Sequence, residues 1–417
     1  MNNVAGFKCV DCGREHHVDE VEYVCVSCGG NLDVVYDYDL ICSRLTKSSL
    51  AADPTLTMWR YRALLPINSS SETPPLTVGW TPIYDCPAVA RRLGLKQLWI
   101  KDDGRNPTGS FKDRPSALAV VKAREAGARI VTTASSGNAG SALAGICASI
   151  GMESIIFVPA SAPPAKIAQL LIYGSTVVLV EGSYDQAYDL CLDASKKFGW
   201  YQRSTGYNPF TREGKKTAAL EIAEQLNWDV PDKVIVPVGD GNIISGLWKG
   251  FNDLYRIGFI EKLPKMIGAQ SQNASAIVDA SATDGILQDQ PAHTVADSIN
   301  VGKPRDATMA VRAIRESGGC GVKVTDEEII QSIPRLARET GVFVEPGAAA
   351  SYAALVKGVE SGTIASEDRV LLMLTGNGLK DVETARQAAG EPIQVAPVID
   401  LSELESRIVD ARNAQKM

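Results

Sequence analysis

Apolar, β-branched runs alternate with segments of helix length through most of this chain, and that alternation restricts its fold more than any other feature. Arg129–Thr133, Ser154–Pro159, Thr176–Glu181, Lys233–Val238, Lys265–Gln270 and Arg369–Thr375 read as strands. Strands that are apolar along their length are covered on both faces, and strands joined through helices run parallel. The expected fold class is therefore α/β, with parallel sheets, helices on both faces and ligands at the carboxyl ends of the strands. A chain of 417 residues exceeds one typical domain, so two lobes of similar size with small appendages are expected.

Charge and composition narrow the function classes. With 45% hydrophobic and 22% charged residues the chain has the make-up of a soluble enzyme. A net charge of −7, with no basic tract to offset it, argues against a nucleic-acid partner. No apolar run is long enough to span a bilayer and the first residues lack a leader pattern, so no membrane association and a cytoplasmic location are expected. Cys42, Cys86, Cys147, Cys191 and Cys320 are scattered singly, unlike a disulfide framework. The remaining cysteines form two tight pairs, Cys9-x-x-Cys12 and Cys25-x-x-Cys28, spaced as two knuckles on one tetrahedral Zn²⁺; four sulfur ligands make such a site structural. His16 and His17, between the knuckles, are candidate substitute ligands, but are read first as surface residues of the connecting hairpin.

The chemistry is expected to centre on Lys112. It sits in the turn Asp102-Asp103-Gly104-Arg105-Asn106-Pro107-Thr108-Gly109-Ser110-Phe111-Lys112-Asp113-Arg114, between the strand-like Gln97–Lys101 and an alanine-rich helical pattern. A lysine partly withdrawn from water keeps a neutral, nucleophilic amine and can form a Schiff base. Ser135-Ser136-Gly137-Asn138 follows a strand and opens a helix, where bare amides bind an anion such as a carboxylate. Gly239-Asp240-Gly241-Asn242-Ile243 does the same after Lys233–Val238, and its glycines allow a phosphate to approach backbone. It lacks the Gly-x-Gly-x-x-Gly form of dinucleotide sites, and Arg212-Glu213-Gly214-Lys215-Lys216-Thr217 fails the phosphate-loop pattern, so nucleotide hydrolysis is rejected. Leu371–Leu374 is an apolar strand ending at Thr375-Gly376-Asn377-Gly378.

Taken together, these stretches resemble the threonine synthases, pyridoxal 5′-phosphate enzymes of fold type II, over nearly the whole chain. The cysteine knuckles, Gly29-Gly30-Asn31-Leu32-Asp33-Val34-Val35-Tyr36-Asp37, Trp59-Arg60-Tyr61, Gly79-Trp80-Thr81-Pro82, Asn106–Arg114, Glu345-Pro346-Gly347-Ala348-Ala349-Ala350 and Thr375–Asp381 occur in the family's order. The resemblance implies two parallel-sheet lobes plus an N-terminal zinc-ribbon-like segment. Its expected boundaries are 1–38 for the ribbon, 39–125 and 205–395 for a large cofactor-binding domain and 126–204 for a small mobile domain. Within 396–417, Ser402-Glu403-Leu404-Glu405 has capping-box form and Leu404, Ile408 and Ala411 share one stripe, which predicts a docked C-terminal helix, and the polar run Asn68–Pro75 reads as a linker or surface loop. The cofactors implied are pyridoxal 5′-phosphate and a structural zinc, and a homodimer is a family expectation.

The resemblance also implies roles by position. Lys112 carries the cofactor through a Schiff base, Asn138 hydrogen-bonds its phenolic oxygen, Gly239, Asp240, Gly241, Asn242 and Ile243 line its phosphate, and Thr375 faces its pyridine nitrogen. A hydroxyl there does not hold that nitrogen protonated, which favours elimination and replacement at Cβ or Cγ over transamination. Ser135, Ser136 and Gly137 would hold the carboxylate of an amino-acid substrate.

The substrate half of the pattern departs from the family. Thr205 and Thr211 stand where the family carries an Asn and an Arg that hold the substrate phosphate, and Ala139 replaces a common threonine. Arg212 and Lys303 are the nearest replacement cations. The leading reading is a threonine synthase-like enzyme converting O-phosphohomoserine and water to threonine and phosphate. A poor rate by family standards, or another substrate, is expected. The alternatives are a β-replacement enzyme resembling cysteate synthase, acting on O-phosphoserine and sulfite, and a non-catalytic amino-acid sensor, against which the retained Lys112 argues.

Overall fold

The structure is a computed structural model that describes residues 3–20, 22–390, 392–397 and 400–414; the outermost residues of the ribbon and of the C-terminal segment lie outside that range. Three sheets organise it. The largest has six strands in the order Cys320–Val324, Lys265–Ser271, Lys233–Pro237, Arg369–Leu374, Gln97–Asp102 and Ile83–Asp85, parallel except for the last, which pairs antiparallel at the edge. A second sheet has four parallel strands, Thr176–Val180, Glu153–Pro159, Ile130–Ala134 and Tyr201–Gln202. The third is a small antiparallel sheet of Glu15–His16, Val4–Cys9 and Leu32–Tyr36.

Side chains alternate across a strand, so the central strands of the six-stranded sheet feed two cores. Val234, Val236, Leu371 and Met373 join one cluster with Ala117, Leu220 and Ile244, from the helices Asp113–Glu125, Phe210–Gln225 and Asn242–Arg256. Ile235, Leu372 and Leu374 join another with Ala349, Tyr352 and Ile333, from the helices Pro346–Glu360 and Asp326–Thr340. The four-stranded sheet has much smaller clusters, such as Ala134, Phe157, Tyr188 and Cys191 on one face. Its edge strand Thr176–Val180 is largely solvent-facing, with Leu179 53% exposed.

Three local readings are corrected. His16 is buried with its Nε2 3.2 Å from Cys25 Sγ, while His17 stays exposed, because the hairpin folds one histidine under the knuckles. The polar run Asn68–Pro75 is a surface loop, as expected, and is held to the body where the Asn68 and Ser71 groups bond Glu125, the first at 2.7 Å. At the C-terminus Asp400, not Ser402, caps the helix, accepting from Ser402 N at 2.8 Å. That helix, Leu401–Ala414, is not docked: Leu404 and Ala411 are only half-buried and Ile408 is 40% exposed, since its apolar stripe is too thin to hold a helix this polar against the body. Among the described residues no helix is long and apolar enough to cross a membrane.

Candidate active site

The Lys112 turn owes its shape to the residues flanking it. Asp113 folds back on the turn, accepting from Thr108 N at 2.8 Å and Thr108 Oγ1 at 2.6 Å. Burial still lifts the Asp113 carboxyl to about 6 against those bonds. Arg114 anchors the helix start from beneath, with Nε 2.6 Å from Asp103 Oδ2 and Nη1 2.5 Å from Glu221 Oε1; all three side chains are fully buried. Lys101 adds a bond to Glu221 Oε2 at 2.8 Å. The far side of the turn is stitched to the neighbouring strand end, Phe111 N donating to Thr375 O at 2.9 Å and Ser110 bridging Gly376.

Lys112 therefore emerges at the mouth of a strand end, on a cavity of about 690 Å³ where the two parallel sheets meet. Among the described residues its amine makes no hydrogen bond or ion pair. Withdrawal from water lowers its pKa, Glu345 opposes that, and Arg203 adds to it. Ser135, Ser136, Gly137 and Asn138 line the cavity from the end of Ile130–Ala134, and Asp240 and Lys303 line it from the larger lobe. Gly239, Gly241, Asn242, Ile243 and Thr375, expected at the cofactor, are not among the residues that line the cavity, where only Asp240 represents the glycine loop.

The glycine loop is shaped from both sides. Gly241 has φ +87°, and a Cβ there would lie 2.6 Å from Ala310 Cβ and 3.0 Å from Asp306 O, so its bare face serves packing against the following segments as well as access. Asn242 opens the helix Asn242–Arg256, accepting from Lys215 Nζ at 2.6 Å and donating to Asp306 Oδ2 at 2.6 Å. This helix N-terminus, with its free amides, fits a phosphate.

Two candidate substrate cations are placed differently from one another. Lys303 is exposed at the cavity rim and pairs with Asp289 at 3.2 Å. Arg212 is not brought to the cavity: it is buried against Asp306 and, at 3.1 Å, against Asp33 Oδ1 and Leu32 O of the N-terminal sheet. Asn138 donates its amide to Glu345 at 2.8 and 3.1 Å.

Sequence reasoning missed Glu345 and Arg203. Glu345 lines the cavity at the start of Pro346–Glu360, and burial raises its pKa against the bonds from Asn138 and the charge of Lys112. Its Glu-Pro-Gly motif was visible, but only the fold turns the carboxylate toward Lys112. Arg203 is 0% exposed and lines the same cavity, its Nε bonded to Ser116 Oγ at 3.2 Å and Nη1 to Thr205 Oγ1 at 3.1 Å, while Nη2 has no partner.

A second constellation lies apart from the cavity. The sulfurs of Cys9, Cys12, Cys25 and Cys28 all lie within 4.8 Å of one another, with Cys9–Cys28 at 3.5 Å and Cys12–Cys25 at 3.7 Å. A tetrahedron with metal–sulfur bonds of about 2.3 Å sets sulfurs about 3.8 Å apart, which this cluster fits.

The family model of pyridoxal-phosphate dependent enzymes matches residues 75–376. The threonine synthase of Methanocaldococcus jannaschii is 42% identical over 93% of this chain and 96% of its own length, and that of Methanosarcina acetivorans is 40% identical over 94% and 96%. Among solved structures, processed threonine deaminase isoform 2 from Solanum lycopersicum superposes with a TM-score of 0.64 at 23% identity, covering 74% of this chain and 86% of that one. Maize serine racemase gives 0.63 at 20% identity, covering 81% and 94%. At those identities the likeness concerns the fold, whereas the sequence match is long and close: the chain belongs to the pyridoxal-phosphate dependent enzymes, as a threonine synthase-like member of that family.

Proposed function

We propose that this enzyme converts O-phosphohomoserine and water to threonine and phosphate. The observation that carries the reading is the unpaired Lys112 amine, on a cavity lined by an amide-rich turn from one sheet and by Asp240, from the glycine loop that opens a helix, from the other. Pyridoxal phosphate, when bound, supplies an electron sink that loosens the bonds at the substrate's Cα. Lys112 would hold it, with the amides of Gly239–Ile243 on its phosphate, Asn138 at its phenolic oxygen and Thr375 facing its pyridine nitrogen.

The chain's own residues account for the rest. The amides of Ser135–Asn138 hold the substrate carboxylate at a helix start. That sets Cα near Lys112, whose withdrawal from water lowers its pKa and so favours the neutral amine that takes the Cα proton. The same amine returns protons along the substrate. Glu345 stands beside it as the compensating charge when it is protonated. Over the reaction the Cγ–O bond breaks with its electron pair leaving on phosphate, Cγ gains a proton, Cβ loses one, and water supplies the Cβ hydroxyl.

We further propose that the four clustered thiolates hold one structural Zn²⁺. The free state of all nine cysteines suits a reducing cytoplasm. The test is steady-state phosphate release from O-phosphohomoserine and from O-phosphoserine with sulfite, with threonine and cysteate assayed as products. Threonine from the first substrate supports the proposal, and cysteate formation alone overturns it. Metal analysis finding no zinc in protein purified without chelator would remove the ribbon assignment.

A further inference from the structure

We propose that Arg203 is the binding residue for the substrate's phosphate group, taking over a task that the residues at 205 and 211 do not perform here. The inference rests on the reading of the substrate as a phosphate ester and assigns a cation to it.

A guanidinium has five N–H donors and stays charged in a protein interior. Arg203 is wholly withdrawn from solvent, yet among the described residues no carboxylate lies within ion-pair distance of it. Burial pushes its pKa down to about 10, with Tyr184 and Asp240 only partly opposing. Burying a charge without a partner is unfavourable. An anion in the cavity would supply the missing partner.

The group is also oriented. Ser116 and Thr205 accept from Nε and Nη1, which fixes the plane of the guanidinium and leaves Nη2 open. Thr205 thus steadies the cation. Thr211 cannot contribute, since its hydroxyl is buried and donates to Asn208 O at 2.8 Å, away from the cavity.

Either the cofactor's phosphate or the substrate's could meet an arginine, and topology favours the second. Arg203 follows Tyr201–Gln202, which pairs with the strand that ends in the Ser135–Asn138 turn; Arg203 N itself donates to Thr132 O at 2.9 Å. It belongs to the wall that carries the carboxylate turn. The glycine loop, with its own helix N-terminus for the cofactor's phosphate, lies at the end of a strand in the other sheet. The expectation of slow turnover came from missing contacts at 205 and 211, and Arg203 restores one of them from a position eight residues before Thr211.

The experiment titrates cofactor-loaded wild type, Arg203→Met and Arg203→Lys with inorganic phosphate by calorimetry, and measures KM for O-phosphohomoserine and cofactor affinity from visible absorbance. Losing a charge-assisted contact should weaken phosphate binding and raise KM roughly 10- to 100-fold in Arg203→Met, with partial recovery in Arg203→Lys and cofactor affinity within about threefold of wild type. A parallel loss of cofactor affinity would reassign Arg203 to the cofactor's phosphate and overturn the proposal. Unchanged phosphate binding in Arg203→Met, or none in wild type, would overturn it too. Should Arg203→Met lose its native circular dichroism, Arg203→Lys decides by the same readings: phosphate binding weakened with cofactor affinity kept supports the assignment. If wild type binds phosphate through Arg203 but does not turn over O-phosphohomoserine, the anion site stands and the assigned reaction falls.

Discussion

The two parallel sheets meet at one cavity but handle buried charge in opposite ways. Beneath the end of the six-stranded sheet, Arg114 is held by Asp103 and Glu221, and Glu221 also by Lys101, all fully buried and multiply hydrogen-bonded. On the four-stranded side, Arg203 is equally buried but holds only neutral hydroxyls and leaves one nitrogen open. A saturated ionic cluster fixes geometry, because breaking any member strands the others. A buried cation with an open donor instead marks a place for a ligand. The larger sheet thus reads as frame and the smaller as a receiving wall, its thin cores leaving it the lower-stability unit.

The largest expected effect tests the frame where it delivers chemistry. Lys112→Ala should lower turnover by roughly 10²- to 10⁴-fold or more and abolish the bound cofactor's visible absorbance signature, with circular dichroism unchanged. A wild-type visible spectrum in that variant would detach Lys112 from the cofactor and dissolve the idea of a frame built to present it.

The contrast itself can be tested with two arginines at one depth. Arg114→Met leaves Asp103 and Glu221 as buried carboxylates short of a partner, and should destabilise the fold by about 3–5 kcal/mol in guanidinium unfolding. Arg203→Met removes a buried charge whose protein contacts are two hydroxyls; relief of its burial offsets the lost bonds, and stability should change by less than about 1.5 kcal/mol in either direction. Equal losses would mean that both arginines are structural.

A smaller effect lies in acid. Burial pushes the Glu221 carboxyl up, but Arg114 and Lys101 outweigh it and hold the group at about 2, below its ordinary 4.5. A folded-state pKa below the unfolded one means that this stabilisation is present above pH 4.5 and disappears as pH falls toward 2, roughly 3 kcal/mol in all. Asp113 has the opposite sign: raised from 3.8 to about 6, it makes the fold lose stability as pH climbs through that interval. Unfolding midpoints between pH 2 and 7 should therefore pass through a maximum, and Glu221→Gln should flatten the acid limb. An unaltered acid limb would deny the cluster its ionic character.

What could be read from sequence divides along the same line. The central strands were legible because they are apolar on both faces, and the Lys112 turn because its geometry is local. The strands Ile83–Asp85, Tyr201–Gln202 and Cys320–Val324 were not, being short, or glycine-containing and at the sheet edge. Arg203 gave no local signal: it is a lone arginine after a two-residue strand, and only strand pairing brings it beside Lys112. Arg212 looked the better candidate by spacing, yet its helix phase delivers it to Asp306 and Asp33. Spacing along a chain identifies residues that act through their own backbone. It does not identify those whose role comes from the element packed opposite.

The smallest predicted effect concerns how the receiving wall is held. Tyr23, from the loop that carries the second cysteine knuckle, accepts a hydrogen bond from Gln202 N at 3.0 Å, one residue before Arg203. Its ring stacks on Tyr207 with centroids 5.1 Å apart and meets Tyr201 edge-on at 5.7 Å. The ribbon therefore braces the segment that presents Arg203, although it lies outside the cavity. Tyr23→Phe keeps the ring contacts and removes the one acceptor, leaving a buried amide short of a partner, at a cost of about 1 kcal/mol. If the wall is the adjustable half of the site, that loosening should appear as faster hydrogen exchange at Gln202 and a KM for O-phosphohomoserine a few-fold higher, with cofactor affinity unchanged. If cofactor affinity falls instead, the ribbon braces the frame. The distinction between frame and wall would then have to be redrawn through the N-terminal sheet.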